Sequence, residues 1–167
     1  MWVGSLQITI LQGSLLDVEA ELIVNPANSY GLMGGGVAGV IRQVAGLKVE
    51  EEARKHAPIP VGQAVLTSGG RTRFKGIIHA PTMAEPAMRI PATNVELATR
   101  AALNLADDHG FVSISLPGMG TGIGSVAPQE SARVMIHVIR QFVPTTLQSI
   151  ILIDVDPFMV QAWRDHL

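Results

Sequence analysis

Two glycine-dense segments hold the residues best suited to chemistry: Asn25–Gly36 (NPANSYGLMGGG) and Gly118–Ser125 (GMGTGIGS). Glycine lacks a Cβ, so consecutive main-chain N–H groups can converge on one point and approach a ligand closely. Each segment follows a short apolar run that reads as a strand and precedes a periodic run that reads as a helix. A helix start behind such a loop adds unpaired N–H donors and the positive end of a dipole. Two such loops in one small α/β domain suit a diphosphate. Asn25 and Asn28 carry amides that both donate and accept, as sugar hydroxyls require. Gly34, Gly35 and Gly36 would bring main-chain donors to an anion from the first loop. Gly118, Gly120, Gly122 and Gly124 alternate in the second, with hydroxyls from Thr121 and Ser125. For a lone glycine a tight turn is the plainer reading. Three consecutive glycines before a helix, beside paired Asn, favour a ligand.

Other chemistries fit less well. No Lys follows either glycine run, so neither is a Walker A loop. Residues 122–127 spell GxGxxA, but late in the chain and with no acidic residue at the end of a following strand at the distance usual for a dinucleotide fold. The five His are scattered without metal-ligand spacing, and no metal or cofactor is expected. Asp154 and Asp156 follow the last strand and read as caps of the final helix. Glu50–Glu52 and Arg54–Lys55 read as a solvated helix face. Ser29, Ser115 and Thr121 lack the G-x-S-x-G context of a nucleophile.

The elements that must position these loops follow from periodicity. Leu6, Ile8 and Ile10 alternate with Gln7 and Thr9, a half-buried strand near one sheet edge. Leu22–Asn25 is a short apolar run, as a central strand requires. Helices are expected over Val37–Ala45 and Lys48–His56, the second stopped by Pro58. Strands are expected over Ala64–Ser68 and Gly76–Ala80, flanking the basic turn Arg71–Lys75. A helix spans Asn94–His109, with Asn94 as N-cap, Leu97, Ala101 and Leu105 on one face, and Gly110 ending it. Strand Phe111–Leu116, helix Pro128–Phe142, strand Ser149–Ile153 and helix Pro157–His166 complete the order. The Pro-rich stretch around Pro81–Pro91 reads as a long loop. Alternating strands and helices predict an α/β fold, a three-layer α/β/α sandwich with a central mixed sheet.

At 167 residues the chain fits a single domain spanning 1–167. Apolar content of 47% with 16% charged residues is that of a packed globular protein. A net charge of −2 gives no general attraction to nucleic acid or anionic membrane, and 4% aromatics leave few stacking surfaces for single strands. Without cysteine there is no disulfide and no thiol nucleophile. The opening MWVGSLQITI lacks a basic n-region and alternates like a strand, so a cytoplasmic protein is expected.

The pairing of NPAN and MGGGVAGVI with LPGMGTGIGS resembles the macrodomain family, the ADP-ribose-binding modules. The resemblance covers nearly the whole chain. It implies a mixed sheet between helices with the ligand across the top of the sheet. It places Asn25 and Asn28 near the distal ribose, Asn28 most directly, and Gly34, Gly35, Gly36 and Val37 on the diphosphate and distal ribose. Gly120, Thr121, Gly122, Ile123 and Gly124 would wrap the diphosphate, with Gly118 opening that loop. Ser14, Leu15 and Val155 fall at the adenine end. Three departures stand out. Ser14 replaces the usual acidic residue that accepts from the adenine amino group. Ala38 replaces the Asp of the hydrolase subgroup. Gly124 replaces a frequent aromatic.

The resemblance implies ADP-ribose or an ADP-ribosylated protein as partner. One reading is a hydrolase releasing ADP-ribose from a modified acidic side chain or an acylated ribose, with Asn28 positioning a ribose hydroxyl or the attacking water. A second is a reader that binds without turnover, which Ala38 favours. A third is a protein that binds NAD or another nucleotide.

Overall fold

The computed structural model describes residues 1–167. Seven strands form one sheet: β1 (Trp2–Val3), β2 (Leu6–Gln12), β3 (Leu22–Asn28), β4 (Val65–Thr67), β5 (Gly76–Met83), β6 (Ser113–Leu116) and β7 (Ser149–Asp154). Their order is β1-β2-β7-β6-β3-β5-β4. The five inner strands run parallel, and β1 and β4 add antiparallel edges. The sheet is therefore mixed, as expected.

Five helices cover it: α1 (Gly36–Ala45), α2 (Leu47–Arg54), α3 (Ala92–Asp108), α4 (Pro128–Gln141) and α5 (Pro157–His166). Successive strand side chains point to opposite faces, and the core divides accordingly. Leu22, Val24, Ile78 and Ala80 join α3, α4 and α5 in a cluster of 28 buried residues. Ile23 and Ile77 face the other way, into a cluster of 11 with Ile41 and Ala45 of α1 and Val49 of α2. Both faces being covered explains why the central strands read as continuous apolar runs.

Two details of α3 correct the sequence expectation. The helix starts at Ala92 behind Pro91, and the Asn94 side chain is not a cap. Its amide instead donates to the Thr82 carbonyl at 2.9 Å, fastening α3 to the end of β5. The buried face is Val95, Ala98, Ala102 and Ala106, whereas Leu97 is 45% exposed.

The C-terminal end of α3 is fixed by Asp107. Its carboxylate accepts the N–H groups of Thr145 (2.9 Å), Thr146 (2.7 Å) and Leu147 (2.8 Å), just before β7. Burial pushes this carboxyl up. The donors Leu147, Thr146 and Thr145 and the Thr146 hydroxyl more than reverse that, so it titrates below its ordinary value. Replacing Asp107 by Asn is expected to cost about 2 kcal/mol at neutral pH, because hydrogen bonds to a charged acceptor are lost. A group with a depressed folded pKa stabilises above its unfolded pKa and loses that contribution as pH falls through the folded value. Thermal melts at pH 7 and in the acid range check this: the gap between wild type and Asp107→Asn should narrow in acid.

Candidate functional site

The carboxyl ends of the five parallel strands lie along one edge of the sheet. From β3 the chain passes to α1 on one face, and from β6 to α4 on the other. Strands β3 and β6 are neighbours, so a topological switch point lies between them, where open α/β sheets hold ligands. The two strands also separate early. β6 pairs only with Leu22 and Ile23, while β3 continues beside β5 to Asn28. The far half of β3 thus has a free side. That side tolerates Pro26, which lacks an N–H for the ladder.

The resulting crevice encloses about 620 Å³, within the usual range of small-molecule sites. The end of β3 contributes Pro26, Ala27 and Asn28. One wall is the loop that leads into α1, and the other is the loop that leads into α4. Thr82 and Met83 at the end of β5, with Pro86 and Ala87 beyond it, form a third rim.

The walls present main-chain donors. Neither Gly34 nor Gly35, nor the first helical residues Gly36, Val37 and Ala38, donates its N–H to any protein acceptor. The same holds for Gly120, Thr121, Gly122, Ile123 and Gly124 across the crevice. Gly34, Gly35, Gly36, Gly122 and Ile123 are exposed, so two facing runs of free N–H groups, one of them opening a helix, offer their donors to an anion in the crevice.

The glycines serve two different purposes. A Cβ on Gly34, Gly35 or Gly122 would meet nothing within 4 Å, and none of the three has a positive φ. Neither backbone nor packing requires glycine there; what those residues preserve is room inside the crevice. Gly120 and Gly124 are required by the fold. Gly120 has φ +76°, and a Cβ on Gly124 would lie 2.7 Å from the Gly120 carbonyl oxygen. Gly118 also corrects the sequence expectation. Its N–H donates to Asp154 Oδ2 at 2.9 Å, so it lines the crevice without offering a donor.

Asn25 is a second correction. It is fully buried, and its amide donates to Nδ1 of His79 at 3.1 Å. Nε2 of His79 then donates to the Thr67 hydroxyl at 2.9 Å. Burial, with the charge of His56, pushes the His79 pKa down to about 4, so the ring is neutral. This chain of bonds ties β3, β5 and β4 together beneath the site; the Asn25 amide oxygen is left without a partner, but the side chain is fully buried and does not line the crevice.

Asn28 does line the crevice, but its side chain is largely committed. Oδ1 accepts the N–H groups of Tyr30 (3.0 Å) and Leu32 (3.3 Å), and Nδ2 donates to the Leu32 carbonyl (2.9 Å). One amide proton remains for a ligand. Asn28 therefore shapes the first loop as well as facing the crevice.

Ser14, Leu15 and Val155 do not line this crevice. The Ser14 hydroxyl accepts the Leu16 N–H at 3.2 Å and caps a single 3-10 turn. Leu15 is buried in the smaller core cluster, and Val155 is exposed. Asp156 caps α5 as expected, by accepting the Phe158 N–H. Asp154 does not cap that helix directly: Oδ1 accepts from Asp156 and Oδ2 holds the second glycine loop.

Three charged residues at the crevice were not apparent from sequence: Asp154, Arg42 and Glu50. Glu50 does not belong to a solvated face. Its side chain is only 14% exposed, and Oε2 accepts the Met33 N–H at 2.6 Å, bracing the first loop. Arg42 Nη1 lies 3.5 Å from the other oxygen.

Fold and site together define an α/β domain with an anion-binding crevice at its switch point. The chain belongs to the Macro domain family, whose family model matches residues 24–135. A protein of Aquifex aeolicus is 54% identical over 162 residues, covering 97% of this chain and 98% of that one. Among solved structures, an Oceanobacillus iheyensis macrodomain with ADP superposes with a TM-score of 0.87 at 25% identity, over 99% of this chain and 92% of that one. A Trypanosoma brucei macrodomain in complex with ADP-ribose gives 0.85 at 24% identity, over 95% and 68% respectively.

Proposed function

We propose that this chain, read as one macrodomain over 1–167, binds ADP-ribose across the carboxyl ends of β3 and β6. The observation that carries the reading is the pair of facing N–H runs, 34–38 and 120–124, none of them used by the protein. A diphosphate needs many donors converging from two sides, and no lysine is required where main-chain dipoles supply them. The free proton of the Asn28 amide and the Thr121 hydroxyl suit the distal ribose. The ADP and ADP-ribose complexes of the structural neighbours support the same ligand.

The site also suits hydrolysis of ADP-ribosyl adducts, because a clamped diphosphate would hold the distal ribose fixed for attack by water. The partner would then be an ADP-ribosylated protein or an acylated ADP-ribose. Ala38 and the committed Asn28 side chain favour instead a reader without turnover. Release of ADP-ribose from a modified protein separates the two.

Thermal unfolding with ADP-ribose tests the shared claim. At about 100 times Kd the ligand should stabilise by roughly 2.7 kcal/mol. For a domain of this size that is a rise of roughly 5–10 °C. No shift at millimolar ADP-ribose, or a larger one with NAD at equal concentration, overturns the reading.

A further inference from the structure

The crevice contains two carboxylates, and they are not equivalent. Asp154 is spent on its own scaffold: Oδ1 accepts the Asp156 N–H and Oδ2 the Gly118 N–H, both at 2.9 Å. Glu50 is fixed at one oxygen only. Oε2 accepts the Met33 N–H at 2.6 Å, while Oε1 has a single loose neighbour, Nη1 of Arg42 at 3.5 Å. The carboxylate is thus oriented and largely shielded, yet retains an oxygen able to take a proton.

Its position is specific. Met33, which it grips, immediately precedes Gly34 of the first N–H run. Arg42 lies one helical turn beyond Ala38, on the same face of α1. Asn28, Ala38, Arg42 and Glu50 all line the crevice. Among them Ala38 offers only a methyl, and the Asn28 amide is not basic and keeps only one proton free. Glu50 is therefore the one base at this end of the site. Arg42 keeps several N–H donors beyond the one facing Glu50, and these suit an oxygen on which negative charge develops.

We propose that Glu50 is the general base, and Arg42 the oxyanion donor, for hydrolysis of carboxylate esters on the distal ribose of ADP-ribosyl groups. The proposal rests on the ADP-ribose reading above. A water held by Glu50 Oε1 attacks the acyl carbon, and its proton passes to that oxygen. Charge builds on the carbonyl oxygen beside Arg42. The bond between the acyl carbon and the ribose oxygen then breaks, and the ribose oxygen leaves with the proton Glu50 held. The products are a carboxylic acid and ADP-ribose, and nothing is oxidised or reduced. Acylated ADP-ribose and ADP-ribose esterified to an acidic side chain present the same bond.

The test uses the full chain, O-acetyl-ADP-ribose as substrate and calorimetry with ADP-ribose. In Glu50→Gln the amide oxygen can still accept the Met33 N–H at unchanged volume, but the base is gone. We expect kcat to fall by about 100-fold or more, with ADP-ribose affinity and melting temperature unchanged. An unchanged kcat overturns the proposal. So does a matching loss of affinity, since Glu50 would then merely brace the loop. Wild type that binds ADP-ribose but releases no acetate overturns it and leaves the binding reading standing. Wild type that binds no ADP-ribose removes both.

Discussion

Gly35→Glu is expected to abolish ADP-ribose binding while leaving the fold intact. Gly35 sits between the first loop and α1 with φ −158° and ψ 178°, an extended conformation open to any residue. A Cβ there meets no protein atom within 4 Å. The position is exposed, so the substitution disturbs no core contact. A carboxylate near the start of a helix is not itself unfavourable. What the new side chain enters is the space between the two N–H runs. A like-charge contact at about 4 Å near a protein surface costs about 4 kcal/mol, which corresponds to roughly a thousandfold in affinity. Calorimetry and a melting curve on the same preparation decide the matter. An unchanged Kd would show that the diphosphate does not pass Gly35. Gly35→Gln separates bulk from charge, and its affinity should lie between those of wild type and Gly35→Glu.

Much of this architecture was legible beforehand, and the exceptions share a cause. The alternation of strands and helices was readable because period-2 and period-3.6 patterns are local. The sites of both glycine loops followed from the strands before them. Asn25 and Asn28 look alike in sequence, but they are three positions apart on one strand, and a strand turns such residues to opposite faces. Pro26 hid this, because a proline argues against a central strand. Only the early departure of β6 makes room for it. Glu50 escaped notice for a different reason. It belongs to a run of three Glu on a polar helix, and nothing local distinguishes them. The phase of α2 against the first loop turns Glu50 toward Met33, whereas Glu52 accepts from the Ser68 hydroxyl. Ser14 and Leu15 were the least legible, since they build a 3-10 turn that periodicity does not announce.

The alternating glycines of the second loop look uniform in sequence but should respond oppositely to substitution. Gly124→Val is expected to lose both stability and binding. A Cβ at 124 would lie 2.7 Å from the Gly120 carbonyl oxygen and 3.1 Å from Ile90 Cγ1. That carbonyl accepts the Val126 N–H, and the Gly124 carbonyl accepts the Ile90 N–H, each at 3.0 Å. The loop is therefore sewn both to itself and to the segment after β5, and has no slack. Forcing a branched side chain into it should cost about 3 kcal/mol, a fall of roughly 6–12 °C in melting temperature for a chain of this length. The donors at 120–124 would move with the loop, so ADP-ribose affinity should fall as well. Gly122→Ala is the counterpart. Its Cβ meets no protein atom, so the melting temperature should hold while affinity falls. Equal melting temperatures for Gly124→Val and Gly122→Ala would mean that the second loop is not held as its hydrogen bonds indicate. The separation of its glycines into those that build the wall and those that keep the crevice clear would then fail.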